Sequence, residues 1–140
     1  MTAALGPWTT DRRRGEPLVL AVCRTPLLCE AVAPALEGAA IVRGFPAGSS
    51  DTAGLMARVE PDAVLVDAQD EADGLERHAR ESNTPLVHVL LESQQIRALR
   101  NGSWSDYDNP ENSVTEIRNV LIGELFATAA RRLARIGTQG

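Results

Sequence analysis

Three short runs constrain the fold of this chain more than anything else in it: Leu18-Val19-Leu20-Ala21-Val22, Ala63-Val64-Leu65-Val66 and Leu86-Val87-His88-Val89-Leu90-Leu91. Each is apolar without regular polar alternation, short, and rich in β-branched residues, the pattern of a strand covered on both faces. A sheet buried on both sides needs helices above and below it, and the segments between these runs supply them. Residues 25–37 set Leu27, Leu28, Ala31, Val32 and Leu36 at helical spacing, behind an N-cap hydroxyl on Thr25 and a proline, Pro26, at the first helical position. Pro34 lies inside that helix and predicts a kink or a tight last turn.

The rest of the chain alternates in the same way. Ala40-Ile41-Val42 predicts a second strand, and Asp51 caps a short helix through Val59. Asp67 ends the third strand, and an acidic loop (Asp70, Glu71, Asp73) leads to a helix around Leu75 to Arg80. Residues 93–100 read as a short helix and Ser103 to Tyr107 as a weak fifth strand. From about Glu111 to Ile136, Val114, Ile117, Leu121, Leu125, Ala129 and Leu133 recur every three or four residues, one long amphipathic helix. The expected fold is α/β, a five-stranded doubly wound parallel sheet of the flavodoxin-like kind with strand order 2-1-3-4-5. Residues 1–16 form a tail, 17–126 the domain, and 127–140 a helical extension or linker.

Composition narrows the chemistry. The 140 residues suit one domain, and 44% hydrophobic with 24% charged is ordinary for a globular chain. No apolar run approaches the ~20 residues of a membrane-spanning helix, and the first residues lack the charged start and apolar core of a secretory signal. A cytoplasmic protein is expected. Cys23 and Cys29, six apart on different predicted elements, form neither a disulfide framework nor a metal knuckle, so Cys23 reads as a small buried hydrophobe. All 14 basic residues are arginine, which excludes a P-loop lysine and a Schiff-base lysine, and a net charge of −5 argues against nonspecific nucleic-acid binding. The spacing of Asp70, Glu71 and Asp73 matches no calcium loop, and "CRTPLLC" lacks the glycines of a flavin-phosphate cradle. His88 reads as a core or surface histidine and His78 as solvent-facing. Arg131, Arg132 and Arg135 read as a solvated helix end. With no recognisable nucleophile–base pairing, no enzyme, cofactor or metal is expected.

In the flavodoxin-like order the first and third strands meet at the topological switch point, which puts Cys23, Arg24 and Asp67 in one crevice. There, "TPLLCEAVAPALEG", followed by "PDAVLVD", "ALRNG" and a terminal amphipathic helix, resembles the receiver domain of response regulators. The nearest branch is the one that precedes a LuxR/NarL-type DNA-binding domain, and the resemblance spans roughly residues 17–126. It implies that Asp67 occupies the phosphoryl-accepting position. The positions of the family's metal-binding acidic pair then read Cys23 and Arg24. The hydroxyl after strand four is matched by Leu91, and the lysine after strand five falls on about Asn109. A thiol and a cation make no oxygen cage for Mg²⁺.

The resemblance therefore implies a degenerate pocket and regulation without phosphorylation, with the Arg24 guanidinium expected to pair with Asp67. Such a domain works by binding: to a second copy, to another regulator, or to a small-molecule ligand in the degenerate pocket. Contact with DNA would need a separate domain. Because apolar spacing continues beyond the end of the sheet, a homodimer is expected through Leu125, Ala129, Leu133 and Ile136.

Overall fold

The computed structural model describes residues 17–46, 52–108 and 113–139, with the side chains of the last segment described as far as Ala127. Ten elements run in chain order: β1 (Leu18–Cys23), α1 (Pro26–Ala35), β2 (Ile41–Pro46), α2 (Thr52–Val59), β3 (Ala63–Val66), α3 (Gln69–Ser82), β4 (Leu86–Leu90), β5 (Gln95–Arg100), β6 (Ser103–Asp108) and α4 (Val114–Gln139). They build one six-stranded mixed sheet in the order β2-β1-β3-β4-β5-β6. The first four strands in that order are parallel, while β5 runs antiparallel to β4 and β6 antiparallel to β5.

The apolar runs are covered on both faces, as their composition requires. Val19, Ala21, Leu65, Val87 and Ile96 point to one side, where Val32 of α1 and Ile117 and Leu121 of α4 meet them. Leu20, Val22, Val64, Val66, Leu86 and Leu99 point to the other, against Met56 of α2 and Leu75 and Ala79 of α3. Fully burying each large side chain stabilises the fold by about 1.5–3 kcal/mol before conformational entropy is subtracted. Pro34 tightens the last turn of α1: the Leu36 amide reaches back to Ala33 O and the Glu37 amide to Pro34 O.

Three sequence expectations are corrected. The sheet has six strands and not five, and it is not wholly parallel. Residues 93–100 do not form a helix; most of them form β5, whose Ile96 and Ala98 face the core while Gln95 and Arg97 are half-buried. The reason lies in the next two residues. Asn101 and Gly102 both take positive φ, 53° and 79°, and Arg100 pairs with Ser103 across them. That is the two-residue primed turn whose twist matches a β-hairpin, so β5 and β6 form together. Finally, the acidic stretch is not a loop: Asp70 and Glu71 lie in the first turn of α3, where negative charge suits the helix dipole. Asp51 lies outside the described residues.

Candidate functional site

The parallel strands β1 and β3 end side by side, with Val22 in register with Val66, and the chain leaves both at the same edge of the sheet. Beyond β1 come Arg24 and Thr25 and then α1; beyond β3 comes Asp67. The Asp67 carboxylate bridges the gap. Its Oδ1 accepts the Arg24 amide at 2.6 Å and its Oδ2 accepts the Thr25 amide at 3.0 Å. Thr25 is the N-cap residue of α1, as expected, but its hydroxyl makes no capping bond. Asp67 instead anchors the approach to the helix from the neighbouring strand.

The sequence reading expects a different partner for this carboxylate. The Arg24 guanidinium does not pair with Asp67; its side chain is exposed, and it forms no ion pair among the described residues. Arg24 contributes its backbone, a role any non-proline residue could fill. We therefore expect Asp67→Ala to cost about 1–2 kcal/mol of stability, since two charge-assisted bonds at a half-exposed corner are lost and water replaces part of them. Arg24→Ala is expected to cost under ~0.5 kcal/mol and to be additive with Asp67→Ala in urea unfolding. A coupling above ~1 kcal/mol would restore the guanidinium to the site.

The second correction concerns sulfur. Cys23 and Cys29 are joined in a disulfide, with Cα atoms 6.3 Å apart, so Cys23 is not a free thiol. The tight strand-to-helix turn folds the first turns of α1 back over the end of β1, and both cysteines lie in the core between the sheet and α1 and α4. Their placement at a strand end and one turn into the following helix was the signal, but a separation of six residues read linearly did not carry it.

Leu91 sits in the turn after β4 and packs against the same apolar core. Asn109 lies outside the described residues, as do the side chains of Ala129, Leu133 and Ile136. Leu125 is buried within the chain's own core rather than displayed on the surface of α4. Phe126 beside it is exposed, as is Leu27 on α1.

Of the two places the sequence leaves open for His88, core or surface, it takes the core, on the α3 face of β4. Arg97 is its direct partner on β5, and Asp106 is the partner of Arg97 on β6, so the three side chains form a row across the hairpin. Arg97 bonds Asp106 at 3.1 Å and stacks over Trp104 at 4.6 Å. Glu76 of α3 holds Arg80 at 2.8 Å and accepts the Trp104 indole N–H at 3.4 Å, while Arg80 donates to the Gly102 carbonyl, so α3 is fastened over the hairpin.

Burial lowers the pKa of His88 below its ordinary 6.5, the Arg97 cation lowers it further, and the Asp73 and Asp67 carboxylates oppose the shift in part. The folded state therefore binds this proton less readily than the unfolded chain. Stability is full above the unfolded value of 6.5 and falls as pH drops through it toward the lower folded value. We expect His88→Leu to flatten this acid-side slope in thermal unfolding between pH 7 and 5 (the range in which an ordinary histidine titrates, about 6.5). An unchanged slope would place the loss elsewhere.

Neither a family model, nor a curated protein, nor a solved structure matches this chain. Its chemistry rests on the geometry alone. Among the described residues no group of three or more His, Cys, Asp or Glu side chains is placed to hold a metal, and no helix is long and apolar enough to cross a membrane. Phosphoryl transfer to a carboxylate needs cations to neutralise the transferred group. At Asp67 both oxygens accept backbone amides, and Cys23, which ends β1, is held in a disulfide. The arrangement is a corner clamp.

Proposed function

We propose that this chain is a receiver-like signalling domain, a variant of the flavodoxin-like frame, that acts by binding and not by phosphoryl transfer. The single observation that carries the reading is the double engagement of Asp67 by the Arg24 and Thr25 amides. The resemblance in sequence assigns Asp67 to the phosphoryl-accepting position, and the parallel order β2-β1-β3-β4 is compatible with that assignment. In this variant the hairpin β5–β6 stands where a fifth parallel strand would, and the Asp67 carboxylate is engaged by two backbone amides. The proposed setting is the cytoplasm and the proposed assembly a homodimer through α4, linked to transcription regulation through a separate DNA-binding domain.

Acetyl phosphate with Mg²⁺ tests the reading. Intact mass spectrometry is expected to detect no added phosphoryl group, and amide spectra are expected to stay unchanged. A stable aspartyl-phosphate that disappears in Asp67→Asn would overturn it.

A further inference from the structure

The disulfide closes a ring over Arg24-Thr25-Pro26-Leu27-Leu28, and two of those residues supply the amides that hold Asp67. We propose that Cys23 and Cys29 form a reversible dithiol–disulfide latch that sets whether the Arg24 and Thr25 amides hold Asp67. The proposal rests on the reading of the Asp67 corner as the signalling site, and names its control.

A passive staple is a poor explanation for a cross-link in this position. Cross-links stabilise chiefly by restricting the unfolded chain, and the effect grows with the length of the closed loop. Here the loop is among the shortest, and it joins a strand end to the helix that already packs on it. The domain does not lack a core either, because both sheet faces are filled with fully buried side chains. The local consequence is larger. With Cys23 fixed at the end of β1 and Cys29 in α1, the backbone between them has few conformations, and the one it holds points two amides at Asp67. Opening the ring restores torsional freedom to five residues at once, directly beside a clamp made of two hydrogen bonds. In a reducing compartment such as the one proposed above, a disulfide that persists in a folded domain is more often a redox element than a permanent staple.

The exchange balances with an external dithiol as reductant. One of its thiolates attacks a sulfur of the Cys23–Cys29 bond, that bond breaks, and the other cysteine leaves as a thiolate. The reductant's second thiolate resolves the mixed disulfide. Two electrons and two protons end on Cys23 and Cys29 as two thiols, and the reductant becomes a disulfide. The sulfurs are shielded, with Cys23 1% and Cys29 0% exposed. The ring between them carries the exposed residues Arg24, Pro26 and Leu27, so the reductant reaches the sulfurs through local opening of this turn.

The test compares the full chain after dithiothreitol with the same chain after oxidised dithiothreitol. Thiol alkylation and intact mass report the redox state, and NMR reports amide exchange. Reduction is expected to be reversible and to speed exchange at Arg24 and Thr25 roughly tenfold or more, with Val19 and Leu20 in the middle of β1 unaffected. Cys23→Ser and Cys29→Ser are each expected to exchange like the reduced chain under oxidant. An aspartyl-phosphate that forms only in the reduced chain would support the latch while overturning the binding-only function. Equal protection at Arg24 and Thr25 in both states would overturn the latch, whatever Asp67 does with acetyl phosphate. So would failure of the reduced chain to re-form the bond, or a loss of protection spread evenly along β1.

Discussion

Arg100→Ala is expected to lower the free energy of unfolding by about 2–4 kcal/mol. Arg100 leaves the end of β5 and meets Glu124 of α4 with two bonds, Nε to Oε1 at 2.8 Å and Nη2 to Oε2 at 2.9 Å. The two ends of the pair are unequal. Glu124 is 2% exposed and Arg100 43%. Deleting the arginine removes both of these charge-assisted bonds from a carboxylate that is almost wholly buried. Deleting the negative charge strands nothing comparable, because the guanidinium already reaches solvent. Glu124→Gln is therefore expected to cost less, about 1–2 kcal/mol. Urea unfolding at neutral pH measures both, read as a shift in midpoint at constant slope. If Arg100→Ala costs under ~0.5 kcal/mol, the pair behaves as a surface salt bridge and its burial counts for nothing.

Asp62→Ala is expected to cost about 2–3 kcal/mol. Asp62 is 7% exposed and its Oδ2 accepts the amide of the buried Leu18 at 2.8 Å, while its own amide donates to the Leu18 carbonyl at 2.7 Å. Truncation removes a charged acceptor and leaves the first amide of β1 buried and unpaired. Asp62→Asn retains an oxygen and is expected to recover more than half of the loss. Hydrogen exchange at Leu18 gives the check, since its protection should collapse in the alanine variant and persist in the asparagine variant. Equal protection in both would mean that water or a neighbour replaces the carboxylate.

These two carboxylates share a design. Asp62 precedes β3 and Asp67 follows it, and each reaches across to the backbone flanking β1, one at the start of that strand and one just beyond its end. The central strand pair is thus clipped at both ends by the aspartates of "PDAVLVD". In the unfolded chain the partners lie more than 40 residues apart, at separations of 44, 43 and 42. A motif that reads as a site in one dimension is, in three, first of all a means of fixing strand order.

The amino-acid sequence by itself determined the parallel half of the sheet, the helices that cover it and the edge at which its loops gather. Those features follow from local periodicity. An apolar run must be buried on both sides, a Thr-Pro step starts a helix, and a residue at the end of a strand has only one edge to occupy. Residues 93–100 form mostly strand and not the expected helix, because eight residues of mixed polarity fit a helical turn and a strand about equally well. The Asn101–Gly102 turn and pairing with β4 decided the matter. Only the tertiary structure determined which groups meet: Asp67 with two amides and not with a guanidinium, Cys23 with Cys29, Arg100 with Glu124. Such partnerships depend on register, helix rotation and the direction of a few side-chain bonds. None of these leaves a repeating pattern along the chain, because each is set by where two distant segments come to rest against a common core.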